Sequence, residues 1–254
     1  MLRMAVGTIL SVLAMSGAAC RSTMPELDPE PQILITSLAW QRTVTPEIFE
    51  ARRTTLLARL EDLREGTASA WVGRQDDATG YLTELYGGRF RAAEGTTGED
   101  VIASFMTAFG LDLFGVGAHE VTFREGDPAG NNLSFRGRQR IDEIPVLDGA
   151  LTASVDRSAA ALTSLRGRVF PGLLVETEPL LTADKAKRIA LRVSGGTTAE
   201  DPRLVVVPTA PAGALAWEVS IRGTPEGEFE LDAYYIDAAR GDVLLVRPNA
   251  IIDF

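Results

Sequence analysis

The spacing of apolar and polar positions changes several times along this chain, and each change predicts an element. From Thr45 onward Phe49, Leu56, Leu60 and Leu63 fall on one stripe at helical spacing. Thr45 is a suitable N-cap, Pro46 suits the first helical position, and Gly66 is expected to end the helix. Between Ser69 and Phe90 the pattern shortens to strands and turns, with Trp71-Val72, then Tyr81 to Tyr86, then Gly87-Gly88. A second helix is predicted from Glu99 to Phe109, with Val101, Ile102, Phe105 and Phe109 facing inward and Gly110 breaking it. Strands at Glu120 to Arg124 and Asn132 to Gln139 flank the turn-forming run from Gly126 to Asn131.

The longest alternating stretch comes next. Leu147, Gly149, Leu151, Ala153 and Val155 share one side, and Asp148, Ala150, Thr152, Ser154 and Asp156 share the other, as in a half-buried strand. Pro145 sits near its start, where a missing N–H leaves no ladder bond unmade. A strand from Leu162 to Phe170 follows. Then comes a helix capped by Thr182, with Ala186, Ile189, Ala190 and Val193 inward and Gly195-Gly196 behind it. Three or four strands complete the chain. In the clearest, Leu215, Trp217, Val219 and Ile221 alternate with Ala216, Glu218, Ser220 and Arg222, while Ala239-Arg240-Gly241 turns between Glu230 to Asp237 and Asp242 to Arg247. Helices interrupt runs of neighbouring strands instead of alternating with them one for one, which predicts the α+β class with antiparallel sheets.

With 254 residues, 45% of them hydrophobic, the chain can bury one or two ordinary cores. Its beginning reads as a signal peptide over residues 1–19: Arg3, a short apolar run from Met4 to Met15, and the small residues Gly17-Ala18-Ala19. That run is too short for a permanent membrane span, which needs about 20 apolar residues. Cys20 follows directly, in the position of the lipidated first residue of a bacterial lipoprotein; Gly17 stands where a bulky aliphatic residue is usual, so ordinary cleavage is the alternative. Pro25, Pro29 and Pro31 make residues 20–44 an extended tether. The expected location is the bacterial cell envelope, held to the membrane by a lipid on Cys20, or else secretion.

The formal net charge of −10, with no basic stripe along the sequence, disfavours nucleic acid as a partner. Catalytic chemistry finds little to use. A thermolysin-type zinc site needs two histidines at i and i+4 with a glutamate beside them, but the single histidine, His119, is followed by Glu120-Val121-Thr122-Phe123. A Cys20–His119 pair and a Ser–His–acid triad have no supporting motif. Asp76-Asp77 and Asp127 to Asn132 lack calcium-loop spacing and read as solvated turns, and Gly87-Gly88 and Gly195-Gly196 lack phosphate-loop spacing and read as turns or caps. His119 is expected at the start of a strand, and Trp217 in a core. No catalytic residue, metal ligand or cofactor is expected, and the chain is read as a non-enzyme.

The order LTELYGGRF, DVIASFMTAFGLDLFGV, LSFRGRQRIDEIPVLDGALTASVD, LTADKAKRIA, LAWEVSIRG and YYIDAARGDVLL resembles the propeptide of secreted thermolysin-type metalloproteases. In that family an FTP module (fungalysin and thermolysin propeptide) precedes a PepSY module. Matching positions are Phe109, Phe135, Gln139, Pro145, Val146, Gly149, Val155 and Asp156 in the first, and Ala186, Ala190, Trp217, Val219, Tyr235, Asp237, Gly241 and Val243 in the second. Glu143 departs from the pattern, where the family often carries a glycine.

The resemblance implies two small modules, each an antiparallel sheet packed by a helix: FTP-like over residues 70–156, then PepSY- or cystatin-like over 157–247. A helical lead-in at 45–69 precedes them and a tail at 248–254 follows. It also implies a partner, a secreted zinc metalloprotease, which such propeptides help to fold and inhibit by covering the active-site cleft. The zinc motif of that enzyme is not in this chain. The expected function is therefore that of a stand-alone propeptide-like protein acting in trans as inhibitor, folding chaperone or both. Two alternatives are a cell-envelope lipoprotein that kept the fold as a binding or scaffold module, and a remnant of a protease precursor. Thermolysin-like clefts favour bulky apolar side chains, so Ile251, Ile252 and Phe254 are expected protease contacts, with Asp253 or the terminal carboxylate approaching zinc. A final edge strand or frayed end is the alternative for this tail.

Overall fold

Capping at Thr45 sets the start of the first helix in the computed structural model, which describes residues 44–92, 97–126, 131–209, 212–224 and 227–248. The signal peptide, Cys20, the tether up to residue 43 and the tail residues Ile251, Ile252, Asp253 and Phe254 lie outside the described residues. Helix α1 (Pro46–Thr67) buries Leu56, Leu60 and Leu63, each contributing roughly 2 kcal/mol through apolar burial. It runs one residue past Gly66, and Ala68 closes it with a left-handed backbone. Strands β1 (Val72–Gln75) and β2 (Leu82–Arg91) follow. Gly87-Gly88 forms neither a turn nor a cap but lies inside β2 at a bulge, and a Cβ on Gly88 would stand 2.1 Å from the Trp71 indole.

Helix α2 (Gly98–Phe105) opens on a capping box in which Thr97 and Asp100 satisfy each other's backbone N–H groups. Gly110 does not break it. The helix continues through a π turn, Met106–Gly110, into α3 (Leu111–Phe114), and left-handed Gly115 ends it. Gly110 instead permits close approach, because a Cβ there would lie 2.8 Å from the Val116 carbonyl oxygen and 2.9 Å from Met106 Cε.

Strands β3 (Val121–Glu125), β4 (Asn132–Ile141), β5 (Ile144–Asp156) and β6 (Ala161–Arg168) pair antiparallel with each other and with β2, in the order β3-β4-β5-β6-β2-β1. After α4 (Ala183–Ser194), capped by Thr182 and closed by Gly195, come β7 (Thr198–Ala199), β8 (Arg203–Val207), β9 (Ala214–Thr224), β10 (Gly227–Asp237) and β11 (Val243–Arg247). These make a second antiparallel group, β8-β9-β10-β11, with β7 beside β9. One parallel pair, Val146 with Val206, connects the two groups. The protein is α+β. On the first group, α1, α2 and α3 cover a core that includes Leu63, Trp71, Phe105, Phe114 and Phe135; on the second, Ala186, Ile189 and Ala190 of α4 pack against Val219, Ile221 and Ile236.

The alternation of β5 is as expected from Gly149 to Val155 and fails at Asp148. Asp148 has φ +60°, and this left-handed residue resets the phase of the strand. Leu147 therefore does not join Leu151 in the first core; it packs against the cluster of Val205, Tyr235 and Leu245 on the second group.

Candidate functional site

The bend in β5 is where the two antiparallel groups meet, and several residues of the sequence resemblance gather there. The hairpin between β4 and β5 turns on Asp142 and Glu143, at φ +46° and +68°. Two successive left-handed residues suit a two-residue hairpin and favour Asn or Gly, so Glu143 occupies a strained position. Arg140 Nη1 donates to both the Glu143 carbonyl and its carboxylate at 3.1 Å, which holds the turn closed.

Just before that turn, Gln139 is 1% exposed. Its Nε2 donates to the Phe170 carbonyl at 3.0 Å, and its Oε1 accepts from the Phe170 N–H at 2.8 Å. The amide thus replaces a strand neighbour for the segment leaving β6. Gly149 makes the room: a Cβ on it would sit 2.9 Å from both Cβ and Oε1 of Gln139.

Beside this clamp, a cavity of about 260 Å³ lies between the β5 bend and strands β8 to β11. Glu218, only 5% exposed, lines it. Arg203 Nε donates to Glu218 Oε2 at 2.6 Å, and the Tyr235 hydroxyl donates to Glu218 Oε1 at 3.2 Å. Arg247 places its guanidinium fork on Asp148, with Nη1 at 3.0 Å from Oδ1 and Nη2 on Oδ2, and lies 5.9 Å from the Tyr235 ring centroid. The Asp148 hydrogen bonds hold Arg247 more firmly protonated than usual. Each acid of the cluster faces an arginine, Glu218 facing Arg203 and Asp148 facing Arg247, and the second pair ties the last residue of β11 to the β5 bend.

Burial, with the negative charge of Glu218 second, pushes the Tyr235 hydroxyl well above its ordinary value of 10. The folded state therefore keeps a proton that the unfolded chain gives up above about pH 10, so this tyrosine has no effect below that pH and lowers stability as pH rises beyond it. The loss approaches about 1.4 kcal/mol per pH unit. Thermal melts across the alkaline range should show a shallower decline for Tyr235→Phe than for the parent chain; identical slopes would assign the effect to other groups.

The remaining candidates from the sequence fall elsewhere. His119 is exposed in a 3₁₀ turn, Ala118–Glu120, directly before β3. Asp76 Oδ1 accepts from the N–H groups of Ala78 at 2.7 Å and Thr79 at 3.1 Å, which is turn chemistry. Asp127 to Gly130 lie outside the described residues. Among the described residues no three His, Cys, Asp or Glu side chains converge as metal ligands, and no helix is long and apolar enough to cross a membrane. Trp217 packs with Val219 and Ile221, and its Nε1 donates to the Leu181 carbonyl at 2.8 Å. Glu218 is the residue that sequence reasoning missed. Alternation put it on the solvent side of β9, whereas that side is also covered, by Val205, Ala233, Tyr235 and Leu245. Nothing in the local sequence marks it; the cross-strand register sets Tyr235 opposite it.

No protein-family model matches this chain, and no curated protein matches it. Among solved structures it is similar to the C-terminal domain of Bacillus megaterium YpeB, with 11% identity and a TM-score of 0.34, over 82% of this chain and 99% of that one.

Proposed function

We propose that this chain is a stand-alone propeptide-like protein that binds a thermolysin-type zinc metalloprotease in trans, inhibiting it, assisting its folding, or both. In this reading, the antiparallel group under α2 is the FTP-like module and the group under α4 the PepSY-like one; β6 (Ala161–Arg168), which a boundary at 156/157 assigns to the second module, is paired into the first group. Each having its own helix and its own buried cluster supports that division.

The observation that carries the functional reading is the use to which the resembling residues are put. Gln139 clamps Phe170, and Gly149 admits it. Asp156 Oδ1 accepts from the Ser158 hydroxyl and from the backbone N–H groups of Ser158 and Ala159, which holds its carboxyl below the usual range. Asp237 Oδ1 accepts from the N–H groups of Ala239 and Arg240. All are joints between elements, and together they make a stiff frame suited to presenting a binding segment. Arg247, anchored on Asp148, stands four residues before Ile251 in the sequence that holds Ile251, Ile252, Asp253 and Phe254. Fixing one end of a segment lowers the ordering cost when it binds. A lipid on Cys20 belongs to the same proposal and would keep the complex at the cell envelope.

The test is titration of the full chain, and of a chain lacking residues 248–254, into thermolysin-type proteases secreted by the same organism. Inhibition by the full chain is expected, weakened about tenfold or more by the deletion, equivalent to about 1.4 kcal/mol. A full chain that neither inhibits such a protease nor raises its refolding yield would overturn the proposal. Unchanged inhibition after the deletion would remove the tail from the interface.

A further inference from the structure

The face of the first antiparallel group opposite its core is strongly basic, although the chain as a whole has a formal net charge of −10. Residues paired across antiparallel strands share a face, so the register alone lays out its rows. One row, from β3 to β1, reads Arg124, Arg136, Thr152, Arg166, Glu84, Arg74. The adjacent row reads Thr122, Arg138, Ala150, Arg168. All six arginines are exposed, and among them stands a single acid, Glu84, at 3.7 Å from Arg74. Arg124, Arg136 and Arg166 make no ion pair within the described residues.

The arrangement has a definite pitch. In each of the two rows a pair of arginines, from β4 and β6, straddles a small residue of β5: Arg136 and Arg166 about Thr152, Arg138 and Arg168 about Ala150, where Arg138 also lines the Glu218 cavity and Arg168 lies 5.1 Å over the Phe170 ring. Two strand spacings put the backbones of each pair about 10 Å apart, and two residues along the strand put the rows about 6.8 Å apart. The result is a trough one strand wide, floored by short side chains and walled by planar guanidinium forks that match carboxylates. An extended polypeptide repeats its side chains on one face at the same interval of about 6.8 Å.

We propose that this face docks an extended acidic segment of a partner protein, with one Asp or Glu carboxylate seated between Arg136 and Arg166. The proposal does not depend on the protease reading. A nucleic-acid duplex is wider than the trough, and single strands bind through aromatic platforms, which these two rows do not contain. Mobile lipid headgroups would make no use of the row spacing.

The test is fluorescence anisotropy with the purified chain and a labelled short peptide alternating Glu and Thr. Its Gln-for-Glu counterpart, phosphatidylserine vesicles and a single-stranded oligonucleotide serve as competing probes. Saturable binding of the acidic peptide is expected, falling as salt is raised, with none for the Gln peptide. The double variant Arg136→Glu/Arg166→Glu should weaken it at least about tenfold at an unchanged melting temperature, and Arg136→Lys/Arg166→Lys should weaken it less. If the reversal variant folds poorly, Arg136→Gln and Arg166→Gln singly supply the comparison. Absence of acidic-peptide binding, binding insensitive to these variants, or stronger binding to vesicles or oligonucleotide would each overturn the proposal. So would self-association abolished by the reversal, which would make a second copy the occupant.

Discussion

Replacing Gln139 by Leu is expected to lower the free energy of unfolding by roughly 2–4 kcal/mol. Leucine roughly keeps the volume, so little of the loss comes from a cavity. What goes is the pair of bonds to Phe170, at 3.0 and 2.8 Å, in a place where water cannot replace them. A buried N–H or C=O that loses its partner costs about 1–3 kcal/mol, and the substitution removes one bond from each of the two backbone groups of Phe170. Urea denaturation should show the midpoint falling at constant slope, the signature of a stability change without a change in the surface exposed on unfolding. Gln139→Glu is a useful companion: it keeps an acceptor for the Phe170 N–H but sets a second acceptor against the Phe170 carbonyl. A Leu variant within about 0.5 kcal/mol of the parent would show that the clamp is not a structural joint.

The second large effect is expected at Arg203. Arg203→Met should cost roughly 2–3 kcal/mol, somewhat less than the loss usual for a fully buried pair, because the arginine itself is 44% exposed on its side chain. The cost falls on Glu218, which would stay buried with the Tyr235 hydroxyl at 3.2 Å. A double-mutant cycle separates this from general damage to β8: Arg203→Met combined with Glu218→Gln should recover a substantial part of the loss, since the uncompensated charge is gone. Simple addition of the two single losses would show that the residues are not energetically coupled.

Local signals proved legible where the deciding contacts lie within a turn of the chain. Thr45 and Thr182 cap their helices through hydroxyls that accept from N–H groups three residues on, at 3.5 and 3.4 Å. The β5 alternation from Gly149 to Val155 was equally readable, because one face meets the core and the pleat has period two. Gly110 and Gly88 were misread for a common reason. Glycine signals a break by default, yet these two are held by distant atoms, the Val116 carbonyl for one and the Trp71 indole for the other. Asp148 was misread in the opposite sense, as an ordinary outward-facing residue, because the register that bends β5 toward Val206 is set by another strand.

The sequence by itself thus determined the α+β class, the extents of α1 and α4 to within a residue or two, and the inward face of β5 beyond its bend, all consequences of spacing and capping along one stretch of chain. Only the tertiary structure decided that Glu218 is buried between Arg203 and Tyr235, 15 and 17 residues away along the chain. The arginine face is the larger case. The linear sequence has no basic run, and its net charge of −10 points away from one. Antiparallel register nevertheless brings Arg124, Arg136 and Arg166 into a single row, because strand pairing aligns residues by their hydrogen bonds and not by their distance in sequence.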